Sequence, residues 1–166
     1  MRRRLVPYGA LAVAIAAATL HVLPSREQVI AGRAAVIDGD SLTLDGRRLR
    51  LEAIDAPELA QDCERNGVAW ACGEAAATAL RRLIGNREVT CRWRERDRYR
   101  RLVARCATNG VDLNRAMVES GFALAYRRHG QDYVDAEDEA RRARRGVWSG
   151  SFTPPWDWRP AHPRSG

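Results

Sequence analysis

The residues best suited to chemistry lie in two acidic segments, the second of which begins with an arginine. These segments are Asp38-Gly39-Asp40-Ser41 and Arg50-Leu51-Glu52-Ala53-Ile54-Asp55-Ala56-Pro57-Glu58. Hard cations such as Ca²⁺ take oxygen ligands, and clustered carboxylates repel one another unless a cation or a guanidinium neutralises them. Arginine adds a planar pair of donors that binds two phosphate oxygens at once. The two segments therefore predict a site for a hard metal ion and a phosphate group.

A β-hairpin is predicted to bring the first acidic segment and the arginine together. Asp45-Gly46 separates two runs of alternating apolar residues, which is a strong signal for a two-residue hairpin turn. This turn sets a register in which Ser41 faces Arg50. The hairpin by itself therefore carries Arg50 back beside Asp40.

The position of the second aspartate requires a bend in this hairpin. If the ladder continued straight, Asp55 would face Val36, about four residues or ~13 Å along from Asp40 at ~3.3 Å per residue. A metal site that both aspartates share therefore requires a strand to curl or bulge, and we expect this at Gly39.

The remaining pattern alternates strands and helices. We predict a helix over 74–84, paired strands over 88–96 and 102–108, a helix capped by residue 112 or 114 and extending to 119, a short strand over 122–126, and a helix over 133–145. With the hairpin, this gives an α+β fold. Five strands with about three helices favour a small closed barrel of the OB type.

The chain divides into three parts. At 166 residues it has room for one domain with a substantial core. Residues 1–24 begin with three arginines and continue in an alanine-rich apolar run, which is typical of a secretory signal, although an uncleaved membrane anchor is the alternative. The folded domain is expected over 29–150, and a tail containing proline and tryptophan over 151–166. We therefore predict a secreted or periplasmic protein, with membrane contact only through an uncleaved anchor.

The charge of the chain gives only weak evidence about its partners. Three of the 28 basic residues belong to the N-terminal segment, so the rest of the chain carries 25 basic and 21 acidic residues. That small excess does not by itself indicate nucleic acid.

Four cysteines follow the apolar segment, and an even number in an exported chain favours two disulfides. The preferred pairing joins Cys63 with Cys72 across a short loop and Cys91 with Cys106 across two neighbouring strands, but the spacing alone leaves other pairings open. Zinc is the alternative, although the sequence contains no C-x-x-C pair and the histidines lie far from the cysteines.

Several motifs together resemble the staphylococcal-nuclease-like family, the thermonucleases. They occur in the family's order over about residues 33–148, as Asp38-Gly39-Asp40-Ser41, Arg50-Leu51, Ile54-Asp55-Ala56-Pro57-Glu58, Asp97-Arg98-Tyr99-Arg100-Arg101 and Arg145-Gly146-Val147-Trp148. The resemblance implies an OB-fold barrel and Ca²⁺-dependent hydrolysis of phosphodiester bonds in DNA or RNA. We predict DNA or RNA as the substrate and no obligate protein partner.

The resemblance also implies roles for individual residues. Asp40 and Asp55 would give Ca²⁺ their carboxylates, Ala56 would add its backbone carbonyl, and Asp38 would lie just outside these ligands. Glu58 would orient or deprotonate the attacking water. The remaining roles are a phosphate clamp by Arg50 and Arg101 and a nucleotide pocket lined by Arg98, Tyr99 and Tyr126. Arg100 replaces a glycine that the family usually carries, so a positive φ there would affect how Arg101 is placed.

Two other functions fit the same barrel. The main alternative is a non-catalytic module that binds nucleic acid or protein, because OB-like folds often bind without cutting. Such modules typically lose acids or arginines from the site, whereas Asp40, Asp55, Glu58, Arg50 and Arg101 are all present here. A structural calcium site would leave the two arginines unexplained. The sequence therefore favours a nuclease and leaves the choice between DNA and RNA open.

Overall fold

The computed structural model describes residues 26–163, so the predicted signal or anchor over 1–24 lies outside the described residues. In this part of the chain, no helix is both long and apolar enough to cross a bilayer.

The described residues form eleven strands, four α-helices and one 3-10 helix. The strands are β1 (Gln28–Gly32), β2 (Ala34–Val36), β3 (Ser41–Leu44), β4 (Arg47–Leu51), β5 (Ile54–Asp55), β6 (Cys63–Arg65), β7 (Val68–Trp70), β8 (Val89–Arg96), β9 (Leu102–Thr108), β10 (Val111–Asp112) and β11 (Leu124–Ala125). The helices are α1 (Cys72–Ile84), α2 (Leu113–Glu119), α3 (Val134–Arg142) and α4 (Pro155–Ala161), with the 3-10 turn at Gly146–Ser149. All the predicted elements are present. The strand predicted over 122–126 is shorter than expected, as β11, and the helix predicted over 133–145 is shorter than expected, as α3.

The main sheet closes on itself. Its strand order is β1-β8-β9-β4-β3-β2, and β10 pairs with β9 outside this path. The two edge strands of this order, β1 and β2, are separated in the chain only by Arg33. The two edges of the sheet therefore lie side by side, and the sheet is curled into a barrel. The strands β4 and β9 pair in parallel, and the other neighbours are antiparallel. The predicted α+β fold of the OB type is confirmed.

The hairpin register is also confirmed, because Ser41 pairs with Arg50. The chain departs from the straight ladder at two places, before β3 and after β4. Residues 38–40 form a bend before β3, and β4 ends at a turn in which Ala53 adopts a φ of 58°. Beyond this turn the chain leaves the ladder, and β5 pairs with β11 instead. Two features therefore bring Asp55 close to Asp40. One is the end of β4 before Asp55, and the other is the bend near Gly39.

Gly39 is required because the chain packs closely at this bend. A Cβ atom on this residue would lie 2.6 Å from the Cβ of Ala56 and 2.7 Å from the Cβ of Ala76. Real Cβ atoms do not come so close, so any larger residue would push the first acidic segment away from the second or from α1. Glycine thus holds the two acidic segments together by its small size.

A buried asparagine fixes the turn between β4 and β5. The amide oxygen of Asn114 accepts a hydrogen bond from the Cys106 N–H at 3.0 Å. Its amide nitrogen donates to the carbonyl oxygens of Glu52, at 3.0 Å, and Ala104, at 3.2 Å. The helix cap is Asp112, whose side chain accepts from the Arg115 N–H. Asn114 therefore ties α2 and β9 to the turn that places Asp55.

Both predicted disulfides are present. Cys63 in β6 is bonded to Cys72 at the start of α1, and Cys91 in β8 is bonded to Cys106 directly across the ladder in β9. The first bridge links the short β6-β7 hairpin to α1, and the second joins two barrel strands.

The C-terminal tail predicted over 151–166 contains the helix α4 in the part that the structure describes. The tail also raises the number of α-helices from the expected three to four. Its apolar side chains explain this order, because Phe152 and Trp156 pack against a second hydrophobic cluster. That cluster consists of the buried residues Cys63, Cys72, Leu124 and Val147. The tail is therefore folded onto the domain.

We expect the substitution Asn114→Ala to lower the free energy of unfolding by about 3 kcal/mol, because it removes the hydrogen bonds that the side chain makes to the buried Cys106 N–H and to the Glu52 carbonyl. The matched control is Asn86→Ala, since Asn86 is exposed. Urea unfolding of the wild type and both variants measures the difference. Equal stabilities for the two variants would show that Asn114 does not hold this turn.

Candidate active site

Three structural elements bring the predicted site residues together. Asp40 ends the bend before β3, Arg50 lies in β4, and Asp55 is the last residue of β5. The β3-β4 register places Arg50 opposite Ser41, and the break after β4 returns Asp55 to the same end of the barrel. Two aspartates and one arginine that are distant from one another in a flat ladder are therefore neighbours.

The guanidinium of Arg50 lies between the two aspartates. Its Nη1 donates to Oδ1 of Asp40, and its Nη2 donates to Oδ1 of Asp55 and, at 3.3 Å, to the Ile54 carbonyl oxygen. The side chains of Asp40 and Asp55 are almost fully buried, and that of Arg50 is 19% exposed. Buried carboxylates are costly without a partner, so Arg50 is what allows both to lie here.

Other hydrogen bonds orient Asp40. Its Oδ2 accepts from the Ala56 N–H at 2.8 Å, and its Oδ1 accepts from the Ser41 hydroxyl at 3.0 Å. Asp38 stands beside it, with Oδ1 accepting from the Asp40 N–H at 3.0 Å. The structure thus places Asp38, Asp40 and Ala56 next to one another, as the family resemblance implies.

Burial strongly affects the charge of this cluster. Desolvation raises the pKa of Asp40 to about 8, against the lowering effect of Arg50, and the nearby Asp38 and Asp55 raise it further. Burial also opposes the charge of Arg50, but Asp40 and Asp55 outweigh this effect and raise its pKa. The buried site therefore has an unmet demand for positive charge, which a second cation can supply.

Glu58 follows Pro57 and lies beside this cluster. Its backbone N–H donates to Oε1 of the fully buried Gln61 at 3.2 Å, and its side chain is 13% exposed. The buried Gln61 is also tied to the C-terminal tail, since its Nε2 donates to the Thr153 carbonyl at 2.6 Å. Glu58 is thereby held by a segment that contacts both α1 and the tail.

Arg101 approaches the cluster from the β8-β9 turn. Its Nε donates to Oδ2 of Asp97 at 2.7 Å, and its Nη1 donates to the Ser41 hydroxyl at 3.4 Å. Burial opposes ionisation of Asp97, but the hydrogen bonds from Arg101 prevail and lower its pKa. Arg100 adopts a φ of 65°, which explains why glycine suits this position, and the turn forms nonetheless. Arg101 and Arg50 therefore stand on either side of Ser41.

The structure adds one residue to the site that the sequence does not predict. Arg159, in α4, donates from Nη2 to Oδ2 of Asp55 at 2.8 Å and from Nη1 to Oδ1 of Asp55 at 3.0 Å and Oε1 of Glu58 at 2.9 Å. The hydrogen bond to Asp55 raises the pKa of Arg159. No local pattern could reveal this contact, because about a hundred residues separate the partners in the chain. The prolines at 154 and 155 indicate only where α4 begins.

The residues expected to line the nucleotide pocket fall into two groups. Tyr99 is 62% exposed and contacts the guanidinium groups of Arg98 and Arg101, at 4.8 and 5.4 Å from its ring centre. Tyr126 contacts Trp156, with ring centres 5.7 Å apart, in the wall of a cavity of about 150 Å³. The structure thus joins Arg98 and Tyr99 to Arg101 and joins Tyr126 to α4.

The carboxylate oxygens of the cluster suit a hard cation, although they form ion pairs with guanidinium groups in this structure. Within residues 26–163, no three acidic, histidine or cysteine side chains are already arranged as a metal site. Arg50 and Arg159 instead form ion pairs with Asp40, Asp55 and Glu58. The adjacent buried carboxylates offer only oxygen ligands, which is the chemistry that Ca²⁺ and Mg²⁺ require. Asp40 and Asp55 therefore fit a divalent metal ion.

Comparison with known proteins agrees with this geometry. The model of the staphylococcal nuclease homologue family matches residues 48–150. The chain is 37% identical over 116 residues to a protein of Escherichia coli O157:H7 named as an uncharacterized endonuclease, which covers 68% of this chain and 70% of the relative. It is 35% identical over 128 residues to a micrococcal nuclease of Shigella flexneri, covering 69% and 68% of the two chains.

A similar match extends to plants. The chain is 33% identical over 115 residues to a probable staphylococcal-like nuclease of Oryza sativa subsp. japonica, which covers 68% of this chain and 29% of that longer protein. The matched residues 48–150 include Arg50, Asp55, Glu58 and Arg101. With the barrel and the clustered acids and arginines, these matches show that the chain belongs to the staphylococcal nuclease homologue family.

Proposed function

We propose that this protein is an exported, Ca²⁺-dependent nuclease that hydrolyses phosphodiester bonds in DNA or RNA. The observation that carries the proposal is the buried pair of Asp40 and Asp55 around Arg50, with Glu58 and Arg101 next to it, in a chain of a nuclease family. The export part rests on the N-terminal apolar segment and on the two disulfides, which persist in oxidising compartments.

Asp40 and Asp55 would hold the metal ion, and the Ala56 carbonyl would complete the protein ligands. When bound, Ca²⁺ would polarise the phosphate and favour attack by water. Asp40 is prepared for this role because the Ala56 N–H and the Ser41 hydroxyl fix the orientation of its carboxylate. Asp38 would add negative charge near the ion without binding it.

Glu58 would act as the general base that takes a proton from the attacking water. Its contact with Gln61 fixes the backbone beside Asp55, so the carboxylate remains next to the metal ligands. The side chain is mostly shielded from bulk solvent, at 13% exposed, so few competing waters reach the carboxylate.

Arg50 and Arg101 would bind the phosphate and stabilise the negative charge that develops on its oxygens. Arg50 is held rigidly by two buried aspartates, and Arg101 is held by Asp97 and Ser41. Donors that are fixed before the reaction need no reorganisation when charge develops. This prior fixation is the physical reason for assigning both arginines to the phosphate clamp.

The nucleotide bases would contact the aromatic residues at the two sides of the site. Tyr99 is exposed beside Arg98 and Arg101, so a base stacked on it would place its phosphate near the clamp. Tyr126 and Trp156 offer a second aromatic surface beside the basic residues 127 and 128. Neither surface favours DNA over RNA.

A non-catalytic binding module is the second candidate, and one observation favours it. Arg159 already holds the carboxylates of Asp55 and Glu58, and a site closed in this way could bind without cutting. The two candidates differ in their need for a metal ion and for the carboxylate of Glu58.

We expect the substitution Glu58→Gln to lower kcat for nucleic-acid cleavage by about 10²- to 10⁴-fold, since the amide cannot accept the proton of water. Single-stranded DNA and RNA, each labelled at one end, report the rates on denaturing gels. The matched control is Glu88→Gln, which changes an exposed glutamate on the barrel and should retain wild-type cleavage. Full activity of Glu58→Gln would contradict the general-base role.

We expect the chelator EGTA to abolish cleavage and added Ca²⁺ to restore it, because the ion would polarise the phosphate and none of the side chains in the proposed roles is a Lewis acid. Parallel reactions with Mg²⁺ test whether the site selects between the two ions. Binding of DNA or RNA that is tight, insensitive to EGTA and unaccompanied by cleavage would support the binding module instead.

A further inference from the structure

We propose that the C-terminal strap, residues 151–162, is autoinhibitory, because its Arg159 takes the carboxylate oxygens of Asp55 and Glu58 that the metal ion and the attacking water require. This inference rests on the proposed function. It adds that a segment of the same chain, the strap, controls metal binding at the site.

The first argument is the occupancy of the oxygens. Arg159 holds both carboxylate oxygens of Asp55 and Oε1 of Glu58. Arg50 also donates to Asp55, but only to Oδ1, so it leaves Oδ2 available. Arg159 is therefore the group that stands between Asp55 and a metal ion.

The second argument is charge. Three carboxylates, those of Asp40, Asp55 and Glu58, face two guanidinium groups in this cluster. A divalent cation bound to Asp55 would bring two further positive charges close to the Arg159 guanidinium while Arg159 stayed in place. Like charges repel strongly in a partly buried site, so metal binding and the Arg159 contact oppose each other.

The third argument is that Arg159 can leave more easily than Arg50. Its side chain is 36% exposed, against 19% for Arg50, and it extends from a short helix at the surface. Arg50 lies in a central barrel strand, where its guanidinium is paired with two buried aspartates. Competition with the metal ion therefore falls on Arg159.

The strap keeps this competitor close to the site. Ser151 and Glu64 exchange two backbone hydrogen bonds of 2.9 Å, and the Thr153 carbonyl accepts from Gln61. Trp156 packs against the second hydrophobic cluster and contacts Tyr126. A group tethered in this way has a high effective concentration at Asp55, so even a weak ion pair competes with metal ions from solution.

The strap follows the matched part of the chain. The family match ends at residue 150, and the strap begins with the next residue. Arg159 therefore reaches the acidic cluster from a segment outside the matched residues 48–150.

The test is the Ca²⁺ affinity of the protein without nucleic acid, measured by titration calorimetry on the wild type, Arg159→Gln and Arg142→Gln. We expect Arg159→Gln to bind Ca²⁺ at least tenfold more tightly, because its carboxylates no longer pair with the strap. Arg142→Gln is the matched control, since it removes the same charge from an exposed position in α3 and should stay within twofold of the wild type. Arg159→Lys keeps a charge with a less suitable geometry and should fall between the two.

Thermal unfolding in EGTA and in Ca²⁺ gives a second readout. Arg159→Gln should unfold at a lower temperature than the wild type in EGTA, and Ca²⁺ should raise its melting temperature more than that of the wild type. A variant that loses stability equally under both conditions, with unchanged Ca²⁺ affinity, would make Arg159 a structural tether and overturn the inference. Unchanged metal affinity with weaker binding of DNA would make it a phosphate ligand and overturn it equally.

The same measurements separate this inference from the proposed function. If the wild type and Arg159→Gln bind Ca²⁺ equally and both need it for cleavage, the inference fails while the proposed function stands. If no variant binds Ca²⁺ and cleavage proceeds in EGTA, both fail.

Discussion

The structure of the site depends on one guanidinium between two buried carboxylates. Arg50 makes it possible for Asp40 and Asp55 to lie side by side away from water, where their mutual repulsion and desolvation would otherwise drive them apart. The hairpin, the break after β4 and the close packing at Gly39 all serve this contact. The proposed metal ion would need clustered negative charge, and the barrel provides this charge only because a fixed positive charge is built into the same cluster.

That arrangement also explains why the C-terminal tail is ordered. The cluster holds more carboxylates than Arg50 can neutralise, and the surplus attracts Arg159 from the end of the chain. The helix α4 supplies the guanidinium, while Phe152 and Trp156 supply apolar contacts to the second cluster around the Cys63–Cys72 disulfide. Electrostatics and burial thus act together on one segment. Neither contact alone would be expected to fix so short a helix against water.

The site is supported by residues that do no chemistry. Asn114 hydrogen-bonds the Glu52 carbonyl at the turn before β5 and two backbone groups of β9, and Gln61 links the Glu58 backbone to the tail. Both side chains are fully buried, and each is hydrogen-bonded to backbone groups next to the site. The cavity beside Tyr126 lies at the same end, next to α4.

The sequence by itself determined the barrel and the Arg50 contact with Asp40. These follow from local patterns, namely alternating strands and an Asp-Gly turn that fixes the register. The four cysteines predicted two disulfides, and the structure decided among the possible pairings. Tertiary structure alone decided the break after β4, the role of Asn114 as a buried clamp and the arrival of Arg159 at Asp55 and Glu58. Those contacts join residues that are far apart in the chain, and their energies depend on burial and on the total charge of a cluster, neither of which a local pattern contains.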